Sequence, residues 1–237
     1  MTITVMPRLT GGSLRATLPA RLRLQARTAA RLALHLTLAG LPVMGISAAV
    51  FGWISLHTLA VDILLPLTVA VLTLAVFSPD RIDRLVVTAV GWGLLACAAY
   101  DAFRLPTIYV AHWWGDFFGP VGGWAVNSRH SNYFVGYLWR YLGDGGGIAV
   151  PFFVAMALLP PTVINTARRS IAAGIAYGVC PVWSGLMLTD ALAPAGHALF
   201  PLTLRTATLS LVGHLIYGSV IGAGFWYSRA VRAYLPR

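Results

Sequence analysis

Arg140 and Asp144 stand four residues apart in residues 138–150, an apolar run that also holds three consecutive glycines. A guanidinium and a carboxylate at i and i+4 of one helix can pair, hold charge on a ligand or pass a proton. Gly136, Arg140, Asp144, Gly147 and Pro151 follow steps of four, four, three and four, so they share one helical face. His214 adds an imidazole on a second face, with Ser210, Gly218 and Gly222 at steps of four. Asp101 and Arg104 are a third candidate pair, and Asp62 lies four residues before Pro66.

These six residues, Arg140, Asp144, His214, Asp101, Arg104 and Asp62, are the candidate substrate-binding or ion-pathway residues. They are expected to line an outward-facing polar cavity between the second, third, fourth and sixth spans described below. Arg140 would hold anionic charge there, Asp144 would pair with it or exchange protons, and His214 would tune or relay protons. Ionisable groups inside a membrane are costly and mark functional sites by default. The competing reading makes Arg140–Asp144 and Asp101–Arg104 ion pairs that serve folding alone.

Other chemistry finds less support. His112 and Asp116 are four apart and His130 follows, but no zinc spacing is complete. His35 and His214 belong at different depths, against a haem held between them. Residues 143–147, "GDGGG", lack the lysine that a phosphate loop requires, and neither GxSxG nor HExxH occurs. No metal or cofactor is assigned, and no catalytic residue. Cys97 and Cys180 read as small packing residues in apolar segments.

The elements that must position these groups follow from composition. Of 237 residues 58% are hydrophobic and only 10% charged, far below the roughly 25% charged of a soluble domain. Lipid is the solvent that such a chain matches. Six apolar segments are expected as transmembrane helices, at 33–56, 59–77, 85–103, 132–159, 169–188 and 206–227. The fold class is therefore an all-α polytopic bundle, with residues 1–32 as a basic N-terminal segment, 33–228 as one transmembrane domain and 229–237 as a short basic tail. Leu18, Leu22 and Ala26 would form the apolar face of a surface-lying helix, with Arg23, Arg27 and Arg31 on another face.

All seventeen basic residues are arginine and all seven acids aspartate, the mark of a GC-rich genome, read here as bacterial. Thirteen arginines fall in segments that lie inside when both termini are cytoplasmic, and only Arg104, Arg129 and Arg205 fall in outer loops. That bias orients the chain N-in and C-in in a bacterial cytoplasmic membrane. The net charge of +10 then serves membrane lipid, not nucleic acid.

The connection between the third and fourth spans carries Trp113, Trp114, Phe117, Phe118 and Trp124. It is expected to form an interfacial or re-entrant segment over the bundle, and 107–126 could dock a membrane-protein partner. Gly174–Gly178 and Gly218–Gly222 are GxxxG pairs suited to close helix packing. Three functions fit these features: binding or transport of a small polar solute, proton or lipid headgroup; an enzyme acting on a lipid or isoprenoid-like substrate; and a structural subunit of a larger membrane complex.

Overall fold

Five helices start behind a residue whose side-chain oxygen accepts one of the helix's first N–H groups: Ser55, Asp80, Asn132, Thr166 and Thr203. Those N–H groups have no partner within the helix, so a short polar side chain there fixes the boundary. Asp80 with Asp83, and Thr203 with Thr206, form full capping boxes. The first helix ends where Gly52 takes a φ of +77° and the Trp53 N–H returns to the Ala48 carbonyl at 2.9 Å.

The computed structural model describes the backbone of residues 13–235 and the side chains of residues 26–235. Its helices are α1 (Ser13–Val50), α2 (Leu56–Phe77), α3 (Arg81–Tyr109), α4 (Phe118–Ala125), α5 (Tyr133–Leu158), α6 (Ala167–Leu192) and α7 (Leu204–Tyr227). A 3₁₀ turn, Arg229–Tyr234, follows α7. Residues 26–50 of α1, and α2, α3, α5, α6 and α7, are long and apolar enough to cross a membrane. The protein is an all-α, multi-pass integral membrane bundle.

α5 and α7 are the most buried spans, while α2 and α6 turn most of their apolar side chains outward. Both GxxxG pairs serve one contact. A Cβ on Gly174 would strike the backbone of Gly218 and Gly222, so α6 and α7 meet backbone to backbone. Ser170 Oγ donates to the Gly222 carbonyl at 2.6 Å in the same seam. The aromatic core at the other flank of α7 joins Phe152, Phe153 and Phe225 edge to face.

The bundle has two ends. At the terminal face, Asp83 joins α1 to α3: Arg31 reaches it with Nη2 at 2.6 Å and Nε at 2.9 Å, and His35 Nε2 lies 2.9 Å away. The C-terminal turn lies at this face too, with Arg84 over the Tyr234 ring. At the opposite, cap face, α4 packs against the start of α5, where Gly119, Gly122 and Gly123 are buried.

Several expectations shift. The first span begins at Ala26 and ends at Val50, because Gly52 turns the chain before the expected limit at 56. One helix runs unbroken through 32–33. The side chains of Leu18, Leu22 and Arg23, on which the surface-lying face is read, lie outside the described residues. Arg31 does not share a solvated face with Arg27, because Asp83 draws it into the bundle. Of the aromatic connection, Trp114 and Phe118 are buried while Trp113 remains half exposed.

Candidate functional site

α5 departs from α-helical winding at Trp139–Gly147, which is π-helical and carries both Arg140 and Asp144. Such wide turns release backbone carbonyls from the regular ladder, and they recur at functional sites. Here Tyr217 donates its hydroxyl to the Gly145 carbonyl at 2.5 Å, and Cys97 Sγ lies 3.7 Å from the Arg140 carbonyl. The glycines let neighbours press against the widened turn. A Cβ on Gly143 would meet the Pro42 ring, one on Gly145 would meet Cys97, and one on Gly147 would strike the Ala39 carbonyl. The glycine run is therefore the surface on which α1 and α3 close over the two charges.

The charges form a ladder that begins outside the spans. Asp116, in the connection before α4, accepts from Arg104 Nη2 at 2.7 Å, Tyr137 Oη at 2.6 Å, Tyr109 Oη at 2.7 Å and the Phe118 N–H at 3.1 Å. Burial alone would raise its carboxyl, but the Arg104 charge and the tyrosine hydroxyls outweigh burial and hold it below the ordinary carboxylate value. Arg104 stands 3.8 Å from Asp101, and Asp101 Oδ1 accepts from Arg140 Nη2 at 3.0 Å. The Phe118 ring lies between the two guanidiniums, 4.8 Å from Arg104 and 5.1 Å from Arg140, and the Tyr100 ring faces Arg140 at 4.6 Å. Aromatic faces stabilise cations in this way where water is excluded.

Beyond Arg140 opens a cavity of about 410 Å³ between α1, α3, α5, α6 and α7, roofed by the segment before α4. Its volume suits a small ligand or one end of a larger one. The walls are mainly apolar, with Val43 and Ile46 on one side and Val182 and Leu186 on the other. Polar atoms converge at one wall: Arg140, Asp144, Ser210 and His214. Among the described residues, Asp144 Oδ1, Arg140 Nε and Ser210 Oγ are buried without a hydrogen-bond partner. An unpartnered buried polar atom is costly, and a native structure retains one for a reason. His214 Nδ1 lies 2.7 Å from the Ser210 carbonyl. A carbonyl only accepts, so Nδ1 carries the proton and Nε2 is the variable nitrogen.

The cavity reaches the outside of the bundle between α1 and α6. Met44 and Trp53, which line it, are 70% and 76% exposed. Across this gap Ser47 and Thr189 share a hydrogen bond at 3.2 Å.

Against the sequence expectations, the structure brings Arg104, Arg140, Asp144 and His214 to one cavity, with Asp101 buried directly behind Arg140. Asp62 is not among them. It is exposed on α2, and α2 does not reach the cavity; α1 and α6 supply the walls expected of it. Arg140 does not pair with Asp144 but crosses to Asp101 on α3. Side chains on a helix lean toward its N-terminus, so a long arginine four residues before a short aspartate points away from it. Asp101 and Arg104 likewise have their nearer partners elsewhere, in Arg140 and Asp116.

Sequence reasoning missed Asp116 as the acid that holds Arg104, because a loop residue has no helical period to link it to α3. It missed the α1 and α6 walls because apolar positions there carry no distinguishing pattern. Asp190 is a further buried acid whose two oxygens have no hydrogen-bond partner among the described residues, close to the cap face and off the cavity wall. No three His, Cys, Asp or Glu among the described residues come together as a metal ion would need. His35 is engaged with Asp83 near the terminal face, away from the cavity that His214 lines.

No family model matches the chain, and no curated protein or solved structure matches it.

Proposed function

We propose that this membrane protein binds an amphiphile whose polar head enters the cavity from the bilayer and whose apolar part remains between α1 and α6 or in lipid. The observation that carries this reading is the pairing of apolar walls, open to the lipid-facing surface at Met44, with converging polar atoms at Arg140, Asp144, Ser210 and His214. A small polar solute gains nothing from such walls, whereas a headgroup with a chain matches both regions. The same cavity serves transport if the bound molecule leaves by the opposite side. The arginine bias supports a bacterial cytoplasmic membrane with the terminal face inside and the cap face outside.

Gly185 lines the cavity, and a Cβ there meets nothing within 4 Å. Gly185→Phe therefore adds bulk at the cavity without a backbone clash. The expected result is a folded protein that retains less lipid than wild type, read by native mass spectrometry after purification in mild detergent. Equal lipid retention by the two proteins would count against the reading.

One observation favours a second reading, an enzyme acting on such an amphiphile. Ser210 fixes the His214 ring so that Nε2 is available as a general base. Incubation of the purified protein with membrane lipid extract, followed by mass spectrometry of the lipids, separates the two. Binding alone leaves the lipids unchanged, whereas an enzyme yields a new species that His214→Gln abolishes.

A further inference from the structure

Charge balance at the cavity points to the chemistry of the headgroup. Two guanidiniums, Arg104 and Arg140, face three carboxyls, Asp116, Asp101 and Asp144. Each guanidinium has its carboxylate counter-ion, Arg104 in Asp116 at 2.7 Å and Arg140 in Asp101 at 3.0 Å, and of their buried nitrogens only Arg140 Nε is left without an acceptor among the described residues. Asp144 is the remaining acid. It is 8% exposed, it lines the cavity, and its Oδ1 has no donor among the described residues. His214, the other titratable group of the wall, has its Nδ1 proton committed to Ser210.

An anionic head would therefore meet a site without surplus positive charge and with a carboxyl already present. A positively charged donor meets the opposite situation. Trp114 and Phe117, in the roof, already take the Arg104 guanidinium, 5.9 and 5.6 Å from their ring centroids, so Asp144 is the group left for such a donor.

We infer that the headgroup carries a primary ammonium, which donates to Asp144 while the attached chain lies along the α1 and α6 walls. This inference rests on the amphiphile reading above and names its substrate class, an alkylammonium. A primary ammonium fits better than a quaternary one, because Asp144 Oδ1 lacks a hydrogen-bond donor and not merely a counter-ion.

The test uses the full-length protein in a non-ionic detergent, with dodecylamine, dodecyltrimethylammonium, dodecyl phosphate and ethanolamine as probes at neutral pH, followed by calorimetry. Dodecylamine is expected to bind about tenfold or more tightly than dodecyl phosphate, the scale of one charge-assisted hydrogen bond. It should also outbind dodecyltrimethylammonium. Asp144→Asn keeps the side-chain shape and should remove most of the preference for the amine. Selectivity in the wild-type protein is informative even if that variant does not fold.

The outcomes separate the two proposals. Dodecyl phosphate binding as tightly as dodecylamine, or Asp144→Asn binding the amine as wild type does, overturns the ammonium assignment and leaves the amphiphile reading standing. Ethanolamine binding as tightly as dodecylamine supports the ammonium but overturns the amphiphile, since the chain then contributes nothing. No binding of any probe overturns both.

Discussion

Asp101 and Asp144 belong to the same buried cluster, yet their substitutions are expected to differ sharply. Asp101→Asn leaves Arg140 charged in an apolar setting without its partner at 3.0 Å. Losing one member of a buried ion pair costs about 3–5 kcal/mol, so thermal unfolding in detergent should show a large loss of stability. Asp144→Asn removes no ion pair within 4 Å and no protein hydrogen bond among the described residues, so it should unfold close to wild type. Equal destabilisation by the two would mean that Asp144 is structural after all. Asp116 adds a pH dependence outside the spans. Its carboxyl titrates lower in the folded protein than in the unfolded chain. Its stabilising contribution is therefore complete above the unfolded carboxylate value, about 3.9, and is lost as pH falls through the lower folded value. Stability measured between neutral pH and pH 3 should fall less steeply in Asp116→Asn than in wild type.

At the scale of one helix, the glycine run of α5 decides whether the charged turn can be enclosed. Gly147→Val would drive a side chain into the Ala39 backbone and separate α5 from α1. Overpacking of this kind costs about 1–3 kcal/mol, and more when the obstacle is backbone. Gly91→Val makes the same change in α3 where a Cβ meets nothing within 4 Å. Melting the two variants side by side should show a large loss for the first and little change for the second. The same contrast explains what was legible in the sequence. Apolar segments and their capping residues are local signals, so the spans α2, α3, α5, α6 and α7 emerge within a few residues of their true limits. A repeat of four also placed Arg140, Asp144 and His214 toward the bundle interior. The partner of Arg140 was not legible, because it depends on which neighbour lies N-terminal along the leaning side chain. Nor was the π-helical turn, since Pro42, Cys97, Ala39 and Tyr217, which shape it, come from three other helices.

For the whole molecule, six crossings return both ends of the bundle to one face, where Arg31, Asp83, Arg84 and Tyr234 meet. The orientation of that face rests on arginine counting, and the structure sharpens the count. Arg104, one of three arginines assigned to the outer side, is buried and neutralised by Asp116. It does not act as an exposed loop charge, so only Arg129 and Arg205 remain to oppose the arginines of the terminal face. The cap face should therefore lie outside. His130 is exposed there, just before α5, and Ala233 is exposed in the C-terminal turn. Single cysteines at these positions, in a background with Cys97 and Cys180 replaced by alanine, can be probed with a maleimide that does not cross membranes. His130→Cys should react in intact cells, and Ala233→Cys only after the membrane is permeabilised. The reverse pattern would invert the protein and place the cavity's roof on the cytoplasmic side. Labelling of both from outside would break the six-span count itself, because an even number of crossings between His130 and Ala233 cannot be reconciled with α5, α6 and α7.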